Sequence, residues 1–242
     1  MLGATVATVA YWRRALSASG AIGATLVGAI TFARGGMPAA AALLAFFVSS
    51  SALSRVAMQR KERLPLAQTK GAQRDVWQVL ANGGAATLCV LLGKRSGLVG
   101  ALAAAAADTW ATELGMLARR PPRLITTLRT VEPGTSGGIT PEGVLASLGG
   151  AMAVGVAAAA FRGERHGIPR AVVAGMLGSL VDSVLGATLQ ASYACDVCGQ
   201  PTEEPIHARC GSPTRRVRGY RWVTNDVVNA IATGCGALIA LV

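Results

Sequence analysis

Residues 98–117 read LVGALAAAAADTWATELGML. At 1.5 Å per residue such a stretch makes a helix of about 30 Å, the thickness of a bilayer's hydrocarbon core. It holds no Lys or Arg, and its first half is entirely Ala, Gly, Leu and Val. The second half differs, because Asp108, Thr109, Thr112 and Glu113 enter the apolar run. Asp108 and Thr112 share one helical face, as do Thr109 and Glu113, since residues four apart lie one above the other. Asp108 stands about ten residues from the segment's end, hence roughly 15 Å deep. A carboxylate at that depth is costly and by default functional, with a structural ion pair as the alternative. Two acids lining one helix suit a divalent cation or a proton relay.

Seven further apolar segments of membrane type lie outward from this one, at residues 2–11, 20–32, 37–56, 76–92, 143–161, 168–191 and 222–242. The first two are short, so seven or eight spans are expected. The fold class that follows is all-α: one integral membrane domain over residues 1–242, a polytopic transmembrane helical bundle. Composition agrees. The 242 residues are 52% hydrophobic and 14% charged, with mean hydropathy +0.45, whereas soluble domains carry roughly 25% charge. Thirty glycines supply the small surfaces that let membrane helices approach closely. No basic stretch with a separate cleavage site precedes the first segment, so no cleavable signal peptide is expected.

The net charge of +11 excludes less than it suggests. A nucleic-acid binder clusters Lys and Arg with exposed aromatics; here they sit in short runs between apolar stretches, and no nucleic-acid partner is expected. Their distribution sets orientation. Arg13 and Arg14 follow the first segment, and six cations from Arg55 to Arg74 follow the third. Four, from Arg119 to Arg129, follow the fifth, and five, from Arg209 to Arg221, follow the seventh. The other six of the 23 lie in the alternate gaps. The rule that cytosolic loops are positive places the richer side in the cytosol or its equivalent, and both termini opposite. A basic face of this kind favours anionic headgroups or a phosphorylated substrate.

The polar residues inside the apolar segments gather at that same end, although acids and amides played no part in the charge count. Asp75, Gln78 and Asn82 line one face where the fourth segment begins. Asp182, with Ser179, Ser183, Gly186 and Gln190, follows a three-to-four spacing in the seventh. Asn225, Asp226 and Asn229 open the eighth. The loop Glu132-Pro-Gly134-Thr135-Ser136-Gly137-Gly138-Ile-Thr140 combines glycines and hydroxyls, the means of cradling phosphate oxygens at a helix start. It is not a Walker A loop, which requires a Lys. Acids beside basic residues and a Gly-rich backbone are the parts of Mg²⁺-dependent phosphoryl chemistry. Between the last two segments, Cys195, Cys198, His207 and Cys210 form C-x₂-C…H-x₂-C, four ligands suited to a structural Zn²⁺ in a cytosol-side loop over residues 193–221. Free or redox-active thiols are the alternative.

Together these motifs resemble an integral-membrane family that includes the plant and algal phytyl-phosphate kinases of tocopherol synthesis and the protein called transmembrane protein 19. The matching stretches are Lys70–Gly84, Asp108–Gly115, Gly134–Gly143, Gly178–Gln190 and Trp222–Asn229. The likeness runs from about Ala15 onward and departs at Thr112, where the family pattern leads one to expect Ser. The resemblance implies CTP-dependent transfer of a γ-phosphoryl group to an isoprenoid (phytyl or polyprenyl) monophosphate. On that reading Asp108, Glu113, Asp182 and Asp226 are the catalytic, Mg²⁺-holding acids. Lys70, Arg74 and Gly134–Gly138 hold phosphates, and Asn82, Gln190, Asn225 and Asn229 orient nucleotide or phosphate. Asp75, Thr109, Thr140 and Ser183 belong to the same binding set. The expected setting is a bacterial-type inner membrane or a plastid membrane, with the site on the cytosol- or stroma-like side. Two rivals remain. An isoprenoid alcohol kinase needs a general base, for which Asp108 or Asp182 is the candidate. A secondary transporter also buries carboxylates but is built from internal repeats, and none is visible.

Overall fold

The computed structural model describes residues 2–61, 73–161 and 167–242. Seven helices make the body: α1 (Leu2–Trp12), α2 (Ala18–Lys61), α3 (Val76–Leu91), α4 (Arg95–Gly115), α5 (Pro141–Ala160), α6 (Gly167–Thr188) and α7 (Asn225–Ile239). They correspond to the eight apolar segments, with the second and third joined in α2. Among the described residues, three are long and apolar enough to cross a membrane on length and composition alone, namely α2, α5 and α6.

α2 is a folded-back hairpin. In a straight helix Ala18 and Arg55 would stand about 55 Å apart. Yet Arg55 Nη2 donates to the Arg13 carbonyl at 2.6 Å, just ahead of the helix, and Ser17 N donates to the Arg74 carbonyl. The reversal is at Gly36, whose φ of 69° and ψ of −162° only glycine adopts readily. Pro38 follows and removes a further amide donor from the ladder. The two arms, 18–35 and 37–61, thus begin and end on the face that carries Arg13, Arg55 and Arg74.

α4 is the axis of the bundle. From Leu98 to Ala107 almost every residue is buried, and the alanine run is what permits it. Neighbouring helices meet α4 through glycines: an added Cβ on Gly178 of α6 would lie 2.5 Å from Ala104 Cβ, and one on Gly236 of α7 would lie 2.7 Å away. On Gly150 of α5 it would lie 2.7 Å from the Ala106 carbonyl. Small residues on both sides bring backbones together, the packing that membrane helices use where no hydrophobic effect drives association. The large side chains are correspondingly outside. Ile22, Leu26, Val48, Leu88, Leu145, Val173, Leu180 and Leu238 are exposed, while the buried apolar residues are mostly alanine. A core of alanine inside a shell of Leu, Val and Ile suits lipid as the surrounding solvent.

The all-α expectation needs correction. A two-stranded ladder joins β1 (Arg123–Leu124) to β2 (Gly138–Ile139). The Cys/His segment is a four-stranded antiparallel sheet, ordered β4-β3-β6-β5, built from β3 (Ser192–Cys195), β4 (Pro201–Thr202), β5 (Ile206–His207) and β6 (Ser212–Arg218). Hydrophobic periodicity missed both because the strands are two to seven residues long. Turns and metal-ligand spacing shape them rather than a buried stripe.

Candidate functional site

At the basic end of the bundle lies a cavity of about 1040 Å³, at the upper limit of the roughly 300–1,000 Å³ common for small-molecule sites. It is two-sided in chemistry. Val6, Ala24, Val27, Leu43, Phe46 and Phe47, from α1 and both arms of α2, line an apolar part. Arg13, Arg14, Arg55 and Arg74 ring its basic part, with Asn82, Asp108, Glu113, Ser136, Asn225 and Asn229. Three of the four tryptophans stand at this end: Trp12 closes α1, Trp77 opens α3 and Trp222 precedes α7. They are 80%, 68% and 71% exposed. Exposed aromatic rings gathered at one end of a helical bundle are what a membrane–water interface favours.

α4 changes character where it meets the cavity. Buried through Ala107, it is half-exposed from Asp108 on, and Asp108, Thr109, Thr112 and Glu113 all face the space. The helix ends at Gly115, so Asp108 lies about 10 Å from that end, shallower than the sequence suggested. Glu113 Oε1 accepts from Ser54 Oγ at 2.9 Å. Its charge also faces Arg74, whose guanidinium is pulled down from its usual value by burial while Glu113 opposes the shift. Asp182, on α6, sits behind Asp108 with the two carboxyls in hydrogen-bonding contact. Its Oδ2 is shut off from solvent and has no hydrogen-bond partner among the described residues. Two carboxyl groups this close, one with an oxygen left without a partner among the described residues, form a donor set that fits a hard divalent cation once their protons are displaced.

The Gly-rich loop is held from three sides. The β1–β2 ladder closes it, and Ile125 N donates to the Gly137 carbonyl. Thr140 caps α5, with its Oγ1 accepting from Gly143 N at 3.0 Å and Pro141 beginning the helix. Gly137, at φ 82°, packs against Ala187 at the end of α6. Arg218 of β6 fastens the same corner, donating to the Ala187, Gly186 and Ser136 carbonyls at 2.7, 3.0 and 3.4 Å. Burial lowers the pKa of this guanidinium, and the C-terminal end of α6 is where a cation is favoured.

The sheet holds two matched knuckles. Cys195-Asp-Val-Cys198-Gly199 and His207-Ala-Arg-Cys210-Gly211 share one geometry. In each, the closing glycine has positive φ and donates its N–H to the carbonyl of the first ligand, at 2.9 and 2.8 Å. All four ligand atoms lie within 4.8 Å of one another, so the cluster can bind a metal ion. Without a metal the thiols perturb each other. The Cys198 backbone N–H draws Cys195 below its ordinary value, and a hydrogen bond with the Cys198 thiol pushes Cys210 up to about 11.

Residues 1–237 match the family described as integral membrane protein DUF92. The chain belongs to this family. Protein PGR of Arabidopsis thaliana is 34% identical over 96% of this chain and 90% of its own length. An uncharacterized membrane protein of Methanocaldococcus jannaschii is 34% identical over 73% and 76%. Protein VTE6, chloroplastic, of Arabidopsis thaliana is 26% identical over 93% of this chain and 64% of its own length. No solved structure matches. The resemblance drawn from the motifs is therefore met at family level.

Of the residues singled out in this family member, Arg74, Asn82, Asp108, Thr109, Glu113, Gly134, Thr135, Ser136, Asn225 and Asn229 line the cavity. Asp182, Gly137, Gly138 and Gln190 stand in the layer behind it. Asp75 is the N-cap of α3 in a capping box with Gln78, and Thr140 is the N-cap of α5. Ser183 and Asp226 are half-buried on α6 and in the first turn of α7. Lys70 lies outside the described residues. The sequence reading missed Glu203. Its carboxylate lines the cavity and lies close enough to Asp108 and Asp182 to act on both. Its only signal was an acid between two prolines inside the Cys/His segment.

Proposed function

We propose that this protein is a CTP-dependent kinase that converts an isoprenoid monophosphate, phytyl or polyprenyl, to the diphosphate. The observation that carries the reading is the two-sided cavity: an apolar part for a hydrocarbon tail lies beside a basic, acid-lined part. The motif resemblance to phytyl-phosphate kinases and the likeness to Protein VTE6, chloroplastic, support the substrate class. Eight crossings, counting both arms of α2, and a bacterial-type inner membrane or plastid membrane complete the proposal. The cavity mouth faces the cytosol- or stroma-like side on the charge rule.

In this mechanism a terminal oxygen of the lipid monophosphate attacks the γ-phosphorus of CTP, the β–γ bridging bond breaks and CDP leaves. The attacking oxygen is already anionic, so no strong base is required. The protein's task is positioning and charge stabilisation. Arg13, Arg14 and Arg55 sit at the mouth, where they meet the incoming phosphates. Arg74, held against Glu113, and the Gly134–Gly138 loop set the transferred group. Asn82, Asn225 and Asn229 orient the nucleotide. Mg²⁺, held by Asp108, Glu113, Asp182 and Asp226, would neutralise charge on the phosphate oxygens. Zn²⁺ at Cys195, Cys198, His207 and Cys210 would hold the small sheet.

The test supplies purified protein with Mg²⁺, γ-labelled CTP or ATP, and phytyl phosphate, geranylgeranyl phosphate or phytol. Label is expected in the lipid diphosphate, and Asp108→Asn or Asp182→Asn should abolish it. Folded protein that labels no lipid would overturn the kinase reading; label from phytol alone would make it an alcohol kinase.

A further inference from the structure

The Cys/His sheet supplies one wall of the cavity, mostly through Pro201-Thr202-Glu203-Glu204 in the segment between the two knuckles, with Ser192 and Ala208 beside it. Thr202 pairs with Tyr193 across β3–β4, and Thr202 Oγ1 accepts from Glu204 N at 3.1 Å. These contacts fix the turn that presents Glu203. Its Oε1 accepts from Ser136 Oγ at 2.7 Å and from Gln190 Nε2 at 2.9 Å. One carboxylate oxygen thus ties together the metal-type sheet, the Gly-rich loop and the chain just past α6. Gln190 is only 2% exposed, so the junction is shielded on that side, where charge-assisted hydrogen bonds are strongest.

The segment is closed by ligands. Cys198 ends the first knuckle, His207 begins the second, and Cys198 Sγ lies 3.6 Å from His207 Nδ1. A metal bound to both would turn residues 199–206 into a covalently bounded loop with Glu203 at its centre. Without the metal, backbone hydrogen bonds from Cys195 N to the Gln200 carbonyl and from Thr214 N to the Pro205 carbonyl still hold the segment, while the two knuckles touch only through weak sulfur contacts such as Cys198–His207.

We propose that the knuckle metal positions the phosphate loop, and that Glu203 is the positioning residue through which it acts. Metal at Cys195, Cys198, His207 and Cys210 closes the segment and seats the Glu203 carboxylate on Ser136 and Gln190. That contact fixes residues 134–138 against the end of α6. The catalytic consequence rests on the kinase reading; the mechanical coupling does not.

The experiment is a four-corner cycle on the full chain in detergent, read by hydrogen exchange of the amides of residues 134–138. Zinc-loaded and chelator-stripped protein are compared, each with Glu203 or with Glu203→Ala. Stripping and substitution should each speed exchange about tenfold, as for the loss of one charge-assisted hydrogen bond. The two together should do no more than either alone. Arg215→Ala is the control: it breaks a 3.6 Å ion pair with Asp196 on the sheet's exposed side and should leave the loop unchanged. Additive effects, or unchanged exchange after the metal has left, would overturn the coupling. If stripping also exposes Ala101–Ala107 of α4, the zinc-loaded Glu203→Ala corner decides by itself, and unchanged exchange there is a refutation. In transfer assays Glu203→Ala should raise the nucleotide KM about tenfold with kcat within threefold; a fall in kcat alone would remove the positioning role. A protein that transfers nothing yet obeys the exchange cycle would refute the kinase reading and leave the coupling standing.

Discussion

Gly137→Ala is the substitution whose cost can be worked most directly. Gly137 has φ 82°, and an added Cβ would lie 2.5 Å from both Ala187 Cβ and Ala187 N, and 2.6 Å from Ala187 Cα. Ordinary carbon–carbon contact is about 3.5–4.0 Å, so the loop and the α6 end must part by about 1 Å. Left-handed backbone costs a non-glycine residue about 1–2 kcal/mol, and overpacking about 1–3 kcal/mol. The bundle can absorb a total near 3 kcal/mol by letting the loop move, because the contact lies at its rim. Function cannot, since a 1 Å misplacement of a positioning group costs on the order of 100-fold in rate. Two companions grade the effect. Gly134 has φ 87° with only Met116 Sδ near, at 3.8 Å, so Gly134→Ala carries the strain without the clash and should lose about tenfold. Gly84 lies within α3 with nothing inside 4 Å, so Gly84→Ala should leave transfer unchanged. The assay is labelled phosphoryl transfer beside a thermal melt in detergent. Wild-type transfer by Gly137→Ala, or an equal loss in all three variants, would refute the placement of the loop in the phosphate site.

Four further outcomes are expected. Metal analysis should give about one zinc per chain, lost in Cys198→Ser. Because metal binding must displace the proton on Cys210, whose pKa is pushed up to about 11, apparent zinc affinity should weaken as pH falls, about tenfold per unit for each proton displaced. Fluorescence of Trp12, Trp77 and Trp222 should be quenched by lipids brominated near the headgroup and poorly by those brominated at the chain end; the reverse would misplace the interface. Arg218→Gln should speed exchange of the 187–190 amides about 30-fold, since two charge-assisted bonds on a half-exposed guanidinium amount to about 2 kcal/mol, and Arg218→Lys should recover part of that.

How much was legible in the sequence depends on the kind of signal. The helices were legible because lipid demands long apolar runs, and seven of them begin or end within a few residues of the segments read from composition. The reversal in α2 was half legible: residues 20–32 and 37–56 stood apart, but only the φ of Gly36 and the Arg55–Arg13 contact show that the chain turns back there. Asp108, Glu113, Asn225 and Asn229 were found because a polar group in an apolar run is conspicuous. Glu203 was not, because an acid in a polar loop is ordinary until a fold brings it to Ser136, 67 residues away. Asp75 shows the opposite limit. A capping carboxylate and a ligand carboxylate share one sequence signature, and the capping box with Gln78 occupies this one.

The far side of the site bears on whether it transfers or transports. A transporter's binding site must open to each face in turn. Here the helix that carries Asp108 is sealed on the side away from the mouth: Ala101 through Ala107 are 0–2% exposed. The seal is backbone against backbone, with Gly175 and Gly178 of α6 and Gly236 of α7 packed on Ala103 and Ala104. Opening a path there would separate three helices that have no side chains to rearrange, only main chains to pull apart. Close-packed interfaces of this kind switch between discrete arrangements rather than deforming smoothly. A cavity with an apolar part beside a basic, acid-lined part suits a lipid that enters from the bilayer, reacts at the surface and leaves as it came. Proteoliposomes should accordingly label lipid phosphate in the leaflet facing the nucleotide without moving it across. Label accumulating in the opposite leaflet would require the alanine seal to open.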